Sequence, residues 1–257
     1  MLLSASEIIR TSFLLYKKNW KLFLTYALLI LVPGGLINIS GFSLPYVMNY
    51  INPLLAILVY VFLLIALTVM SLWVSITMIR VVVAKYKKTK VKTVKEELTM
   101  SKSLIWPVLL ASLLSGLAIT AGIILFIIPG IIFSVWFAFT IYSAVLENKK
   151  PVEAMKHSKS LSAGRWIAVF WRLVAPAFVF MIAIALTQWI IDIPLKMIAA
   201  SLSSAKTIIL LNGFRQLLGT LVSILSGPLT TAAIAILYLD LKSKAVKTDA
   251  PPTPAKA

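Results

Sequence analysis

Few side chains in this sequence are equipped to do chemistry. It contains no cysteine and one histidine, which removes disulfides, thiolate ligands, cysteine nucleophiles and paired-histidine metal centres. That histidine, His157, stands between Lys156 and Lys159 with no acid or second histidine arranged around it, so it reads as a solvated or headgroup-facing residue. No phosphate-cradling glycine loop, Ser/His/Asp set or nucleic-acid motif is present, and no catalytic residue, metal, cofactor or nucleic-acid partner is expected. Binding through charge is the chemistry left. Arg80, Lys87, Lys88, Arg165 and Arg172 border apolar runs, where their cationic ends are placed to meet lipid phosphates. Arg172 follows Trp166 by six residues, about 9 Å along a helix and within snorkelling reach of an interface. Asp192 with Arg215, and Asp240 with Arg80, fall at matching ends of apolar runs and are expected as structural ion pairs.

The elements that position these charges are dictated by solvent. Of 257 residues, 60% are hydrophobic and 13% charged, and the mean hydropathy is +0.98; a soluble domain has about 45–50% and 25%. A soluble enzyme and a disordered chain are both excluded. Six apolar runs, at about 21–40, 53–79, 104–127, 131–147, 166–191 and 213–239, are each near or above the ~20 residues a helix needs to cross hydrocarbon. The expected fold is therefore all-α, a polytopic membrane domain over 1–242 with six transmembrane helices. Of the 25 Lys and Arg residues, all but Lys196, Lys206 and Arg215 lie in the terminal segments or the two long loops of one face. By the positive-inside rule that face, with both termini, is cytoplasmic, in a cell (inner or plasma) membrane.

The runs pair into three hairpins, each preceded by a short cytoplasmic interfacial helix. The preceding segments repeat an acid, a serine five positions later and a tryptophan: Glu7, Ser12, Trp20; Glu96, Ser101, Trp106; Glu153, Ser158, Trp166. In the first of these, helix 4–20, Ser4 with Glu7 fits a capping box and Ile9, Phe13, Tyr16 and Trp20 form an apolar face. Pro129 and Gly130 are expected to make a tight turn between the third and fourth spans. Pro33 with Gly34, Pro176, and Gly227 with Pro228 are expected to break the first, fifth and sixth. Small residues at Ala111, Ser115, Ala118 and Gly122 offer close helix contact, to the fourth span or a second copy. The tail 243–257, rich in Lys, Ala and Pro, is expected to be disordered in the cytoplasm.

The stretch 122–172 carries a recognisable design: Gly122, the Ile128, Pro129, Gly130 turn, the Val145, Leu146, Glu147 end of a span, Pro151 and Ala154, then Ser158, Leu161, Gly164 and Trp166. With the opening Glu7, Phe13 and Tyr16 and the closing Tyr238, Leu239, Asp240, Leu241 and Lys242, it resembles the membrane domain of glycerophosphoryl diester phosphodiesterases and related prokaryotic multi-pass families. In such phosphodiesterases hydrolysis belongs to a separate soluble barrel, and no hydrophilic segment of this sequence is long enough to be one. The resemblance implies a membrane module without that chemistry. The expected function is an accessory or scaffold module that organises lipid or a partner protein at the cytoplasmic leaflet. Its partners would be membrane lipids, anionic ones in particular, and a protein or second copy. The competing reading is a transporter or lipid translocator built on Pro/Gly-broken helices.

Overall fold

Hydrocarbon offers backbone N–H and C=O groups no water, so an apolar chain satisfies them within helices. The computed structural model describes residues 2–202 and 204–249, and every regular element among them is helical: α1 (Ala5–Lys18), α2 (Trp20–Val47), α3 (Pro53–Tyr86), α4 (Val94–Ser101), α5 (Ile105–Leu125), α6 (Ile127–Phe137), α7 (Thr140–Glu147), α8 (Pro151–Ser162), α9 (Trp166–Ala200) and α10 (Ala205–Asp249), with a 3₁₀ turn at Lys102–Leu104. Six stretches, Trp20–Gly41, Pro53–Tyr86, Val94–Leu125, Ile127–Glu147, Trp166–Ala200 and Thr207–Ala245, are long and apolar enough to cross a membrane. Helix α10 runs seven residues into the segment expected to be disordered from Ser243; residues 250–257 lie outside the described residues.

Helix starts follow local chemistry. The Ser4 hydroxyl and the Glu7 carboxylate form the reciprocal capping box at α1. Asn52 caps α3 ahead of Pro53, Thr93 caps α4 by accepting from the Glu96 N–H, and Pro151 occupies the first turn of α8.

The expected breaks are not breaks. Helix α2 continues through Pro33 and Gly34, α9 through Pro176, and α10 through Gly227 and Pro228. A proline removes a single backbone donor, which a long membrane helix supported by its neighbours tolerates. Pro176 and Pro228 are buried, and Gly34 lets α2 approach Ile224 of α10. The turn also moves. The chain reverses at extended Phe126, and Pro129 and Gly130 lie in the first turn of α6, where a missing N–H leaves nothing unpaired. Gly130 is there for proximity: a Cβ on it would stand 2.3 Å from Ile123 Cγ1 and 2.9 Å from the Ile123 backbone, and one on Gly122 would meet Phe133 at 2.8 Å. The small residues of α5 thus face α6 of the same chain at this point.

Helix α10 is central, packing against α9, α1, α2, α3 and α8. Its residues Ala232, Ala233, Ala235, Ile236, Leu237, Tyr238 and Leu241 are buried almost all the way round. They join Ile8, Phe23, Tyr26, Val74, Ile76, Val81, Val82, Tyr142, Val145 and Leu161 in the core. This core lies toward one end, called the basic end here, where the N-terminal residues, the loop after α3, the loop after α7 and the close of α10 meet. Toward the far end, where α2 and α9 close and α10 begins, large apolar side chains such as Tyr50, Leu54, Ile190 and Leu210 are exposed.

The three short helices share a burial register. Ile8 and Ser12 in α1, Glu97 and Ser101 in α4, and Ala154 and Ser158 in α8 are buried pairs four residues apart. In α1 this face stands one residue off the expected one, and Phe13 and Trp20 are exposed. Helix α1 also lies along the protein: Leu3 N donates to Asp240 and the Tyr16 hydroxyl donates to the Leu225 carbonyl, contacts fifteen residues apart on α10.

Candidate anion-binding cleft at the basic end

The end of α3 and the loop after it, α4, the last turn of α7 and the stretch 238–242 of α10 enclose a cleft of about 390 Å³. Five basic side chains line it, Arg80, Lys87, Lys90, Lys92 and Lys242, against the single acid Glu97. Glu97 is buried; its carboxylate accepts from the Lys92 backbone N–H at 3.3 Å and lies 3.6 Å from Arg80 Nε. That pairing is loose, and Arg80 Nε is buried without a hydrogen-bond partner. The Arg80 side chain as a whole is 26% exposed, and phosphate oxygens match guanidinium geometry. Helix α4 is held over the cleft by the Trp73 indole N–H, which donates to the Leu98 carbonyl at 2.8 Å.

One wall of the cleft is a polar joint between α7, α8 and α10. Fully buried Tyr238 donates its hydroxyl to Glu147 Oε1, and Lys242 Nζ lies 2.9 Å from the same oxygen. Lys149 Nζ stands 3.5 Å from Glu147 Oε2. His157 Nδ1 is 2.9 Å from Ser143 Oγ and 3.8 Å from Glu147 Oε1. Burial holds the His157 imidazole below its ordinary value of 6.5, opposed by Glu147 and reinforced by Lys149 and Lys242. Ser143 and Glu147 both address Nδ1, so the ring does not stand between them with one nitrogen on each, as proton relay from hydroxyl to acid requires. No cluster of three or more His, Asp or Glu residues is arranged to hold a metal among the described residues.

The sequence-derived residues fall into two groups. Arg80 and Lys87 line the cleft, whereas Lys88, Arg165 and Arg172 do not. Lys88 closes α3 with φ 57°. Arg165 Nε donates to the Leu161 carbonyl, and Arg172 donates from Nε to Leu3 O at 2.7 Å and from Nη1 to Ala168 O at 2.8 Å. Arg172 is thus engaged in clasping the N-terminal segment. Arg80 and Asp240 are not paired: Arg80 faces Glu97, while Asp240 takes the Leu3 N–H and Lys244, its own neighbour one turn on. Arg215 Nε lies 3.7 Å from Asp192 Oδ1, at the far end.

His157 is the residue sequence reasoning misread, since its acid lies ten positions away across a loop. A signal did exist: Glu147 and the Tyr238 to Lys242 segment both stand out as motifs in the sequence, and here they touch. Ser158, another of them, is buried, donating to the Trp136 carbonyl at 2.6 Å and accepting from the Phe139 N–H.

Helical composition and six membrane-length apolar stretches define a multi-pass helical membrane protein. Residues 101–241 match the model of a domain of unknown function (DUF7847), and the chain belongs to that family. No curated protein and no solved structure matches it significantly.

Proposed function

We propose that the chain is an integral membrane accessory module, without catalysis of its own, that gathers anionic lipid headgroups at its basic end. The observation that carries this is the cleft lined by five basic residues against the single acid Glu97; basic pockets between membrane helices suit phosphate headgroups. In this reading the basic end is the cytoplasmic face of the cell membrane. The six crossings form three hairpins, α2 with α3, α5 with α6 and α7, and α9 with α10, and α1, α4 and α8 are the short helices leading into them. The likeness to phosphodiesterase membrane domains supports a module that serves a partner's chemistry. A translocation pathway is the weaker reading, because buried Phe23, Tyr26, Ala232, Ala233 and Ile236 pack between the cleft and the far end.

Native mass spectrometry of the full-length protein, released from nanodiscs of mixed phosphatidylglycerol and phosphatidylcholine, tests the proposal. Retained phosphatidylglycerol is expected to exceed phosphatidylcholine. The double variant Lys87→Gln, Lys90→Gln should weaken that retention by about 2 kcal/mol, roughly thirtyfold, at ~1 kcal/mol per basic residue. Equal retention of the two lipids by the unaltered protein overturns it.

A further inference from the structure

A second cleft, of about 570 Å³, opens at the far end between α2, α9 and α10. Its lining is polar although it belongs to three membrane-length helices: Asn38, Gln188, Asn212, Gln216, Thr220 and Ser223 surround the Asp192–Arg215 pair. Polar side chains in such helices are retained for a role more often than by accident. The amides are partly engaged with one another. Gln188 Nε2 donates to Ser223 Oγ at 3.1 Å and to Gly219 O at 3.4 Å, and Gln216 Nε2 donates to Asn38 Oδ1 at 3.4 Å. Asn38 Nδ2 also donates to Gly34 O at 2.9 Å, and the Thr220 and Ser223 hydroxyls donate to Gln216 O at 2.9 Å and Gly219 O at 3.0 Å, which leaves the Gln188 and Gln216 amide oxygens and the Asn212 side chain for a ligand.

The chemistry of the lining selects its occupant. Within the lining Asp192 faces Arg215 at 3.7 Å and the two charges balance, while Lys196, 3.9 Å from Asp192, lies outside the lining and is 60% exposed to solvent. The Gln188 and Gln216 amide oxygens accept, the Asn212 amide both donates and accepts, and the Thr220 and Ser223 oxygens keep lone pairs, which matches a ligand that donates at several points and accepts at one. An apolar ligand would leave them unpaired. Depth adds a second constraint. Asn38 follows Trp20 by 18 residues and Gln188 follows Trp166 by 22, about 27 and 33 Å of helix. With those tryptophans at one interface, as the proposed arrangement has them, the cleft sits at the headgroup level of the opposite leaflet, ~30 Å away. An apolar recess of about 120 Å³, lined by Ile39, Gly213 and Leu217, shares Asn38 and Gln216 with the polar cleft. Gly219 lines the cleft with open space where a Cβ would stand.

We infer that this cleft binds a neutral polyhydroxyl group, carried by a glycolipid of the opposite leaflet or by a free sugar. The site is independent of the basic cleft and of what that cleft binds.

The test uses the full-length protein in lauryldimethylamine oxide, which has no sugar head, offered diglucosyl diacylglycerol, phosphatidylcholine, phosphatidylglycerol or free maltose, with bound species counted by native mass spectrometry. The glycolipid should bind, and Gly219→Leu, whose Cβ would stand in open space within the cleft, should weaken it at least tenfold while the thermal midpoint is unchanged. Asn212→Leu, which breaks no hydrogen bond, should act in the same direction and serves if the glycine variant fails to fold. Maltose competing as well as the glycolipid assigns the polyol to a soluble source; failure of maltose to compete assigns it to the lipid. Equal displacement of the glycolipid by phosphatidylcholine or phosphatidylglycerol, or undiminished binding by both cleft variants, overturns the inference. Lys87→Gln, Lys90→Gln should leave glycolipid binding intact, so failure here is distinguishable from failure at the basic end.

Discussion

Glu147 at the basic end and Asp192 at the far end are both carboxylates near the end of a membrane-length helix, both flanked by cations, and they are used differently. The Glu147 side chain is 15% exposed, and its oxygens are engaged by the Tyr238 hydroxyl, Lys242 at 2.9 Å, Lys149 and the edge of His157, joining three helices. The Asp192 side chain is 36% exposed, and its cations stand at 3.7 and 3.9 Å on the rim of an open cleft. Charge count does not separate them. Burial and hydrogen-bond saturation do: the first carboxylate is a structural joint, and the second is one polar group among many facing a cavity.

That contrast is most sharply tested by neutralising the joint. Glu147→Gln keeps the volume but leaves Lys242 and Lys149 near each other without their anion. Breaking a fully buried pair costs 3–5 kcal/mol and an exposed one about 0–1. At this intermediate burial we expect a loss of about 2 kcal/mol, read as a lowered thermal midpoint of the detergent-solubilised protein. A midpoint that does not move would mean the joint is no more structural than a surface pair.

A smaller effect is expected from pH. His157 is the only histidine, so no other side chain ordinarily titrates between pH 5 and 8. Because burial lowers its proton affinity in the fold, the folded state binds a proton less readily than the unfolded chain. Its contribution is therefore complete above the ordinary value of 6.5 and is lost as pH falls through the folded value. The thermal midpoint should drop on acidification from about pH 7.5 to 5.5, and His157→Asn should flatten the slope. A slope that persists in that variant places the sensitivity elsewhere.

The sequence made the membrane class and six apolar stretches legible because hydrocarbon imposes a composition and a length that no local detail overrides. The capping box of Ser4 and Glu7 was equally readable, since it depends on residues within one helical turn. The breaks were misread for the complementary reason. Whether Pro33, Pro176 or Pro228 interrupts a helix depends on the neighbours that support it, and those are distant in sequence. The turn at Phe126 was displaced because glycine marks close approach as readily as it marks reversal, and Gly130 turned out to need space beside Ile123. At the candidate cleft, the basic side chains could be enumerated, but only tertiary contact separates Arg80, loosely paired with Glu97 and lining the cleft, from Arg172, already bonded to Leu3 O and Ala168 O.

The smallest change is expected at the far end, and it isolates what the comparison claims. Asp192→Asn removes the carboxylate facing Arg215 and Lys196, yet both cations retain access to water, Lys196 being 60% exposed. Exposed pairs contribute about 0–1 kcal/mol, and the loss should fall toward the lower limit because neither distance reaches hydrogen-bonding range. The thermal midpoint should therefore stay close to that of the unaltered protein, far from the drop expected of Glu147→Gln. If instead the two variants are destabilised equally, Asp192 is also a structural joint, α9 and α10 are held together at the cleft by that charge, and the far end is built as tightly as the basic one.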